Sequence, residues 1–247
     1  MSGESDSGST QGVRIAHFLA AAGVASRRAA EVLIAAGRVQ LDGVRVVHPA
    51  TFVRPGDLVE VDGKAVGQPE RTRLWRYHKP PGLLTTHRDP AGRPTVFANL
   101  PSGLPRVISV GRLDLASEGL LLLTNDGALA RRLELPSTGW KRRYRARVHG
   151  AVDERALALL SRGASIGGVT YGPIAAALDA RKGTNSWLSL SLCEGKNREV
   201  RRVLAHLGLS VARLIRVAYG PFQLGQLPHG AVQEVTAKVL RDQLGTK

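Results

Sequence analysis

One carboxylate is a candidate for chemistry because of the segment that carries it. Asp114 lies within residues 111–127, between a β-rich run and the strongly apolar residues 120–123. This predicts a loop held between rigid elements. A carboxylate in such a loop can serve as a nucleophile or a base. It can also simply cap a turn, with Arg112 as a surface charge, and the residue types alone favour that structural role.

The sequence shows no pattern typical of a metal site or a phosphate-binding loop. Its seven histidines have no metal-ligand spacing, and no glycine-rich loop precedes a Lys-Ser or Lys-Thr pair. The single cysteine, Cys193, can form neither an intramolecular disulfide nor a thiolate-rich metal site. We therefore expect neither metal nor cofactor. A hydrolase or phosphotransferase with an aspartyl nucleophile is disfavoured, since it would need a metal-binding carboxylate cluster near Asp114.

Strand and helix signals on both sides of Asp114 predict the elements that position it. Apolar and β-branched runs beyond residue 74 predict strands, and helical periodicities predict helices between them. Helices inserted at irregular intervals favour an α+β domain in which helices pack on a mixed sheet. The predicted strands are residues 74–77, 106–110, 120–124, 143–148 and 187–193, and the predicted helices are residues 128–133, 153–161 and 198–207.

A smaller unit precedes this domain. The spacing of apolar residues from Ile15 predicts a first helix, and Ser26 is placed to cap a second helix over residues 27–36. Short strands flank Asp42-Gly43, a dipeptide that readily adopts the positive φ angles of a tight hairpin. A second strand pair is predicted around the turn at residues 54–57. The unit is thus two helices followed by a small sheet.

Polar stretches mark the ends of this unit. Residues 1–12 have almost nothing to bury and are predicted to be a disordered tail, because ordering them would cost uncompensated entropy. The stretch from residue 67 to residue 73 has the composition of a linker. The predicted organisation is therefore a tail over residues 1–12, a first domain over residues 13–67 and a second over residues 74–245.

The charge balance indicates a polyanionic partner. The 247 residues hold 35 Lys plus Arg against 20 Asp plus Glu, a net charge of +15. A phosphate backbone is the usual partner of such a chain, and an anionic membrane is the weaker alternative. Coding bias alone can also enrich arginine. No apolar run is long enough to span a bilayer and the first residues do not form a leader, so we expect a cytoplasmic protein without a membrane partner.

Several motifs carry a family resemblance. The sequence Gly111-Arg-Leu-Asp114, followed by a leucine run that ends in Thr124-Asn-Asp-Gly127, resembles the catalytic motif of the RNA pseudouridine synthases in their RsuA/RluB branch. Other segments are similar to that branch in the same order: Lys79-Pro-Pro-Gly82, Asp89-Pro-Ala-Gly-Arg-Pro-Thr95, Glu194-Gly-Lys-Asn-Arg-Glu-Val-Arg-Arg202 and Arg213-Leu-Ile-Arg-Val217. Residues 13–67 resemble the S4 RNA-binding module. The resemblance implies the pseudouridine synthase fold, with a mainly antiparallel mixed sheet.

The resemblance also implies a reaction and three catalytic residues. A uridine in structured RNA would become its C-glycoside isomer, pseudouridine, without cofactor or metal. Asp114 matches the catalytic carboxylate, Tyr144 the ring that stacks on a base removed from its stack, and Lys196 the basic partner that keeps the carboxylate ionised. From the residues alone, Tyr144 can be a core ring and Lys196 a solvated charge or phosphate contact. The atom that Asp114 attacks stays open.

Arginines in both domains are candidates for RNA contact. Arg112 stands two residues before Asp114, where it can hold a phosphate or brace the loop. A predicted helix beginning near Asn197 has one basic and one apolar face, and its basic face meets either RNA or solvent. The candidates are Arg14, Arg27, Arg28, Arg38, Arg112, Arg198, Arg201 and Arg202.

The motifs after residue 194 bear on the substrate. They look more like the large-subunit ribosomal RNA enzymes than the small-subunit ones, which predicts a large-subunit ribosomal RNA stem-loop as substrate. Nothing in the sequence indicates an obligate dimer, so we expect a monomer. A small-subunit enzyme stays open as an alternative. So does a non-catalytic RNA-binding or ribosome-assembly protein, although a binding module has no need of Asp114, Tyr144 and Lys196 together.

Overall fold

The computed structural model describes residues 12–244 of the chain. It divides into two units, Met1–Thr72 and Arg73–Lys247. Apart from Gly12, the predicted tail of residues 1–12 lies outside the described residues. No helix within residues 12–244 is long and apolar enough to cross a membrane.

Two short helices open the N-terminal unit. They are α1 (Ile15–Ala21) and α2 (Arg27–Ala35). As predicted, the Ser26 hydroxyl accepts a hydrogen bond from the Ala29 amide at 3.1 Å and so caps α2. The helix ends before Gly37, whose positive φ of 68° suits a residue without a side chain. Both helices bury apolar side chains against the small sheet, including Ile15, Phe18, Leu19, Ala30 and Ile34.

Six short strands complete this unit. They are β1 (Val13–Arg14), β2 (Val39–Leu41), β3 (Val44–Arg45), β4 (Phe52–Val53), β5 (Val59–Val61) and β6 (Lys64–Ala65). The strands β2 and β3 form the predicted hairpin at Asp42-Gly43, whose φ angles are 50° and 77°. The second predicted pair is wrong, because β4 pairs with β1 while β5 pairs with β2 and β6.

The second tight hairpin turns instead at Asp62-Gly63, between β5 and β6. Its φ angles of 53° and 72° repeat those of the first hairpin. Both turns have the sequence Asp-Gly, which tolerates two successive positive φ angles. The turn at residues 54–57 contains Pro55, whose ring fixes φ near −65° and excludes this hairpin type.

A larger sheet with flanking helices forms the C-terminal unit. Its strands are β7 (Leu74–Lys79), β8 (Ile108–Val110), β9 (Ser117–Thr124), β10 (Arg142–His149), β11 (Ala164–Ile166), β12 (Val169–Tyr171), β13 (Ile174–Lys182), β14 (Asn185–Leu192), β15 (Ser210–Tyr219), β16 (Phe222–Gln223) and β17 (Val232–Glu234). Its helices are α3 (Gly127–Glu134), α4 (Glu154–Leu159), α5 (Glu199–His206) and α6 (Ala237–Leu244).

The main sheet of this unit has nine strands. Along its path the order is β13-β14-β10-β15-β9-β7-β17, with β16 beside β15 and β8 beside β9. The strands β9 and β15 run parallel, and the other pairings within the sheet are antiparallel. The predicted α+β class and the mainly antiparallel mixed sheet are confirmed.

The leucine run of β9 is buried on both faces of the sheet. Leu120 and Leu122 belong to a core shared with α3 and α6, whereas Leu121 and Leu123 pack in a second core with side chains from β7. Every residue of β9 is buried. A strand covered on both sides has a continuous apolar sequence rather than an alternating one, which explains the run that follows Asp114.

The central strands β9 and β15 approach closely at Gly119. A Cβ on this residue would lie 2.8 Å from the Arg216 nitrogen and closer still to the Arg216 oxygen, and its φ is +103°. We expect Gly119→Ala to lower the free energy of unfolding by at least about 3 kcal/mol, measured by urea denaturation. The matched control is Gly103→Ala, which has a φ of +92° but nothing within 4 Å and should cost about 1–2 kcal/mol. Equal losses would contradict the steric explanation.

Candidate active site

The loop that carries Asp114 borders a cleft of about 550 Å³. Residues 111–116 join β8 to β9, as predicted. Residues 84–86 and 195–200 line other parts of the cleft. Strands β10 and β15 contribute Arg142, Tyr144, Leu214, Arg216 and Tyr219. The cleft thus combines charged groups with apolar and aromatic side chains.

Hydrogen bonds hold the backbone of the Asp114 loop in place. The Gly111 amide donates to Glu134 Oε1 at 2.7 Å. The Thr85 hydroxyl donates to the Leu113 carbonyl at 2.8 Å and accepts from the Leu113 amide at 3.3 Å. The half-buried Asp114 carboxylate has no hydrogen-bond or ion-pair partner among residues 12–244. The loop is therefore fixed while its carboxylate stays available to a ligand.

Lys79 secures the far end of this loop. Its side chain is completely buried, and its ammonium donates to the carbonyls of Ser117 at 2.8 Å and Asp114 at 3.2 Å, and also to that of Pro80 at 3.0 Å. Burial lowers the pKa of Lys79 to about 8, an effect that the charges of Asp114 and Glu118 oppose. Lys79 thus ties strand β7 to the candidate catalytic loop.

Arg201, on helix α5, is the second cation that interacts with Asp114. Its guanidinium donates to the Ala116 carbonyl at 3.2 Å and to the Val211 carbonyl at 3.0 Å. Burial and the charge of Arg198 lower its pKa, and the charge of Asp114 raises it. Its buried Nε has no partner among the described residues. Arg201, expected to bind RNA, thus lies between the Asp114 loop and β15.

Lys196 lines the cleft but has other partners. Its ammonium forms an ion pair with Glu194 at 2.7 Å and donates to the Thr170 carbonyl at 2.7 Å. Its backbone amide donates to Glu199, whose pKa is raised by burial. The charge of Asp114 raises the pKa of two other cations, Lys79 and Arg201, against the effect of their burial. The expected role of Lys196 as the basic partner of Asp114 stays a prediction.

Tyr144 lies on β10 at the cleft, where its ring packs against two apolar cores. The ring is half-buried, and its hydroxyl has no hydrogen-bond partner among residues 12–244. Leu192, Val200 and Leu214 line the cleft with it. The position suits a ring that offers one face to a planar ligand.

The candidate RNA-binding arginines near the cleft differ in their surroundings. Arg112 and Arg198 are exposed and line the cleft. Arg198 adopts a positive φ of 52° immediately before α5 begins. Arg202 is exposed on α5 and donates to Asn197 at 3.4 Å. The structure thus brings Arg112 and Arg198 to the same cleft as Asp114.

Four further candidates belong to the N-terminal unit. Arg14, Arg27 and Arg28 are exposed, the last two in the first turn of α2. Arg38 forms a two-pronged ion pair with Asp62 at 2.8 and 2.5 Å, which lowers the pKa of that carboxyl. Arg38 therefore has a partner within the protein, whereas the side chains of Arg27 and Arg28 have none among residues 12–244.

One cluster has the residue types of a metal site. Ligand atoms of His78, Glu118 and His229 lie within 4.8 Å of one another. Both oxygens of Glu118 already bond Arg213, at 2.5 and 3.0 Å. Since that guanidinium neutralises the only carboxylate of the cluster, the residues fit an ion pair better than a metal ion.

Comparison with known proteins identifies the class. Residues 73–206 match the RNA pseudouridylate synthase family, and residues 13–59 match the S4 domain. A crystal structure of a pseudouridylate synthase has a TM-score of 0.64 and 25% sequence identity, covering 94% of this chain and 99% of that one. The chain belongs to the RNA pseudouridine synthases and carries an N-terminal S4 domain. Its class as an isomerase acting on RNA is thereby confirmed.

Particular relatives are more similar in sequence. An uncharacterized RNA pseudouridine synthase of Rickettsia felis is 48% identical over 229 residues, which cover 92% of this chain and 98% of the relative. The ribosomal large subunit pseudouridine synthase B of Salmonella typhi is 43% identical over 232 residues, covering 90% of this chain and 79% of the relative. The resemblance inferred from the motifs is confirmed.

Proposed function

We propose that this enzyme converts one uridine of large-subunit ribosomal RNA into pseudouridine, with Asp114 as the catalytic carboxylate. The observation that carries the proposal is the fixed loop with an unpartnered Asp114 carboxylate at the cleft. The choice of RNA is supported by the name of the Salmonella relative and by the motifs after residue 194. We propose further that a monomer binds the target within a stem-loop.

The reaction requires one bond to break and another to form at the same sugar carbon. The glycosidic bond from ribose to the uracil nitrogen breaks, the base turns, and a bond forms to a ring carbon. That carbon loses its proton, and the freed nitrogen gains one, so the product is an isomer and no electrons are exchanged. A carboxylate acting as nucleophile at the sugar or the base assists the detachment.

Six side chains have roles in this proposal. Asp114 attacks the bound nucleotide, and Tyr144 stacks on the uracil ring after it leaves the RNA stack, which reduces the cost of unstacking. Arg201 holds the Asp114 loop in place by donating to the Ala116 carbonyl. The Lys196 ammonium bonds Glu194 and Thr170. These bonds order residues 195–200, which line the side of the cleft opposite the Asp114 loop. Arg112 and Arg198 bind phosphates of the target.

Pseudouridine mapping tests the proposal directly. The purified protein is incubated with unmodified large- and small-subunit ribosomal RNA, without added cofactor, and pseudouridine is located by carbodiimide labelling and primer extension. A new stop on the large-subunit RNA is expected. A stop confined to small-subunit RNA would change the substrate. Tight binding without a stop on either RNA would support the non-catalytic alternative.

Arg201 and Lys196 can be distinguished by substitution. Arg201→Gln should lower the single-turnover rate by about 10²-fold, because it removes the guanidinium that joins the Ala116 carbonyl of the Asp114 loop to β15. Arg201→Lys should restore part of the rate. Lys196→Gln should lower the rate by less than about threefold, since its ammonium is paired elsewhere. Thermal melting controls for folding. A larger loss from Lys196→Gln than from Arg201→Gln would reverse the assignment.

A further inference from the structure

The two faces of the sheet differ sharply across β13, β14, β10 and β15. On one face, Ala146 and Val148 of β10 are fully buried in a core shared with α4 and α5. Successive residues of a strand point to opposite faces. The alternating residues Arg143, Arg145 and Arg147 are all exposed on the other face. We call these three residues the arginine ladder.

The neighbours of the arginine ladder are mostly small or polar, apart from the partly exposed Trp187 of β14 and Ile215 of β15. Ser191, Ser189 and Trp187 of β14 lie directly opposite Arg143, Arg145 and Arg147 in the antiparallel pairing. The adjacent strand β13 presents the exposed residues Ala175 and Ala177. Such a surface has little of the apolar area that forms the centre of a protein–protein interface. It is a flat, polar face with a row of cations.

The charges on this face do not balance. Besides the ladder, the face carries Lys182 and Arg213, and its acidic groups are Asp179 and Glu118. Arg213 forms its ion pair with Glu118, and Asp179 lies 3.6 Å from Arg145. Five cations thus meet two carboxylates, and Arg143 and Arg147 have no ion-pair or hydrogen-bond partner within residues 12–244.

The like charges of these residues destabilise the sheet. Arg147 lies opposite Arg213 in the pairing of β10 with β15, and like charges placed opposite each other destabilise a sheet. Glu118 forms an ion pair with Arg213, whereas Arg147 has no ion-pair partner within residues 12–244. Arg145 is held over the Trp187 ring at 4.8 Å, so its planar guanidinium is oriented before any ligand arrives. An external anion would relieve the remaining repulsion.

We propose that the arginine ladder binds the phosphate backbone of a second segment of the RNA substrate, on the sheet face opposite the cleft. Residues two apart on a strand are separated by about 7 Å, so the ladder offers three guanidinium groups along about 14 Å. Guanidinium groups suit phosphate oxygens because they can donate two parallel hydrogen bonds. The inference rests on the proposed function in that the bound RNA is taken to be its ribosomal substrate.

The test compares a ladder variant with a charge-matched control on two RNAs. The variant combines Arg143→Gln with Arg147→Gln and leaves the ion-paired Arg145 in place. The control combines Arg155→Gln with Arg162→Gln, which removes two exposed cations located beside α4 on the covered face. The probes are a large-subunit ribosomal RNA transcript and a stem-loop only long enough to occupy the cleft.

On the long transcript, the ladder variant should bind about tenfold more weakly and reduce the slope of log affinity against log salt by about 2. The control variant should change both much less, and affinity for the short stem-loop should be unchanged. An equal loss in both variants, or an equal loss on the short RNA, would overturn the proposal. If the ladder variant binds the long transcript with unchanged affinity, the proposal is also overturned. An acidic protein would then be the remaining candidate partner of this face.

Binding is the readout, so this proposal and the proposed function can fail separately. The Asp114→Asn protein should keep the dependence on the arginine ladder without forming pseudouridine. If the salt slope depends on the ladder but the unaltered enzyme forms no pseudouridine, the proposed reaction is rejected and the proposed RNA-binding surface is retained. If the enzyme forms pseudouridine but its RNA affinity does not depend on the ladder, the proposed surface is rejected and the proposed reaction is retained.

Discussion

Asp114→Asn is expected to lower the rate of pseudouridine formation by at least about 10³-fold. The substitution removes the negative charge and the nucleophilic oxygen pair while hardly altering the volume. The backbone of the loop is held by Thr85, Lys79 and Glu134, so it should keep its shape. The measurement is a single-turnover assay on the ribosomal RNA that carries the mapped site.

RNA affinity provides the control for Asp114→Asn. Because the bonds that hold the loop do not involve the carboxylate, affinity should stay within about threefold of the unaltered enzyme. A large loss of affinity or of thermal stability would show that Asp114 is a structural carboxylate. A variant that keeps most of its rate would remove Asp114 from the chemistry altogether.

Lys79→Met should have the second largest effect. Methionine keeps most of the apolar stem of the buried side chain but removes the ammonium that donates to the carbonyls of Pro80, Asp114 and Ser117. The Asp114 carbonyl keeps its bond from the Ser117 amide. Losing buried hydrogen bonds of this kind costs about 1–3 kcal/mol each, partly offset because a buried charge is removed as well. We expect the free energy of unfolding to fall by about 3 kcal/mol and the rate to fall by about 10²-fold, because the Asp114 loop loses its attachment to β7.

The pH dependence identifies the origin of the Lys79 effect. The pKa of this group is about 8 in the folded protein and 10.5 as its ordinary value, so between those values the unfolded chain holds the extra proton. Stability contributed by this group therefore rises as the pH increases from 8 to 10.5 and is lost again as the pH falls through 8. The free energy of unfolding of Lys79→Met should not show this rise between pH 8 and pH 10.5.

Urea denaturation at several pH values measures this difference. The gap in stability between the unaltered enzyme and Lys79→Met should widen from pH 8 towards pH 10.5, and stay constant below pH 7. A chemically matched comparison is Lys182→Met, because Lys182 is exposed on the sheet and should give no such trend. A gap independent of pH would mean that Lys79 titrates as an ordinary lysine.

The sequence locates the candidate catalytic loop but not the cations around it. Asp114 lies between glycines and a leucine run. The glycines belong to the loop that connects two strands, and the leucine run belongs to a strand that is buried on both faces. Which cation lies beside the Asp114 loop depends on where α5 begins. Because Arg198 takes a positive φ before the helix starts at Glu199, Lys196 remains in the preceding segment while Arg201 is carried towards the Ala116 carbonyl. The spacing of residues along the sequence does not determine the direction in which α5 places Arg201.

Lys79 was missed for a different reason. It precedes Pro80 at the end of a strand, where a lysine normally ends in solvent. Its burial follows from the pairing of β7 with β9, which places Lys79 opposite Gly119. Its acceptors are backbone carbonyls of the Asp114 loop, and carbonyls have no sequence signature. Such a contact is visible only when both strands are in place.

The fold was predicted best where apolar runs are long. The strands β7, β9, β10 and β14 and the helices α3 and α5 all overlap their predicted ranges. The strand β13 was missed because alanines dominate its first half, and alanine has low strand propensity. Its pairing with β14 is a tertiary effect. The wrong hairpin at residues 54–57 likewise reflects pairing partners that lie elsewhere in the chain.

The position of β15 constrains how the enzyme can fold. This strand lies between β10 and β9 and joins the antiparallel meander β10-β14-β13 to the strands β9 and β7. Its parallel pairing places Leu214 beside Ser117, 97 residues earlier in the chain. Pairings over such separations form slowly, because loop closure must precede the gain from contact. The cleft therefore has no local folding precursor, and a nascent chain has no active site until synthesis has passed β15.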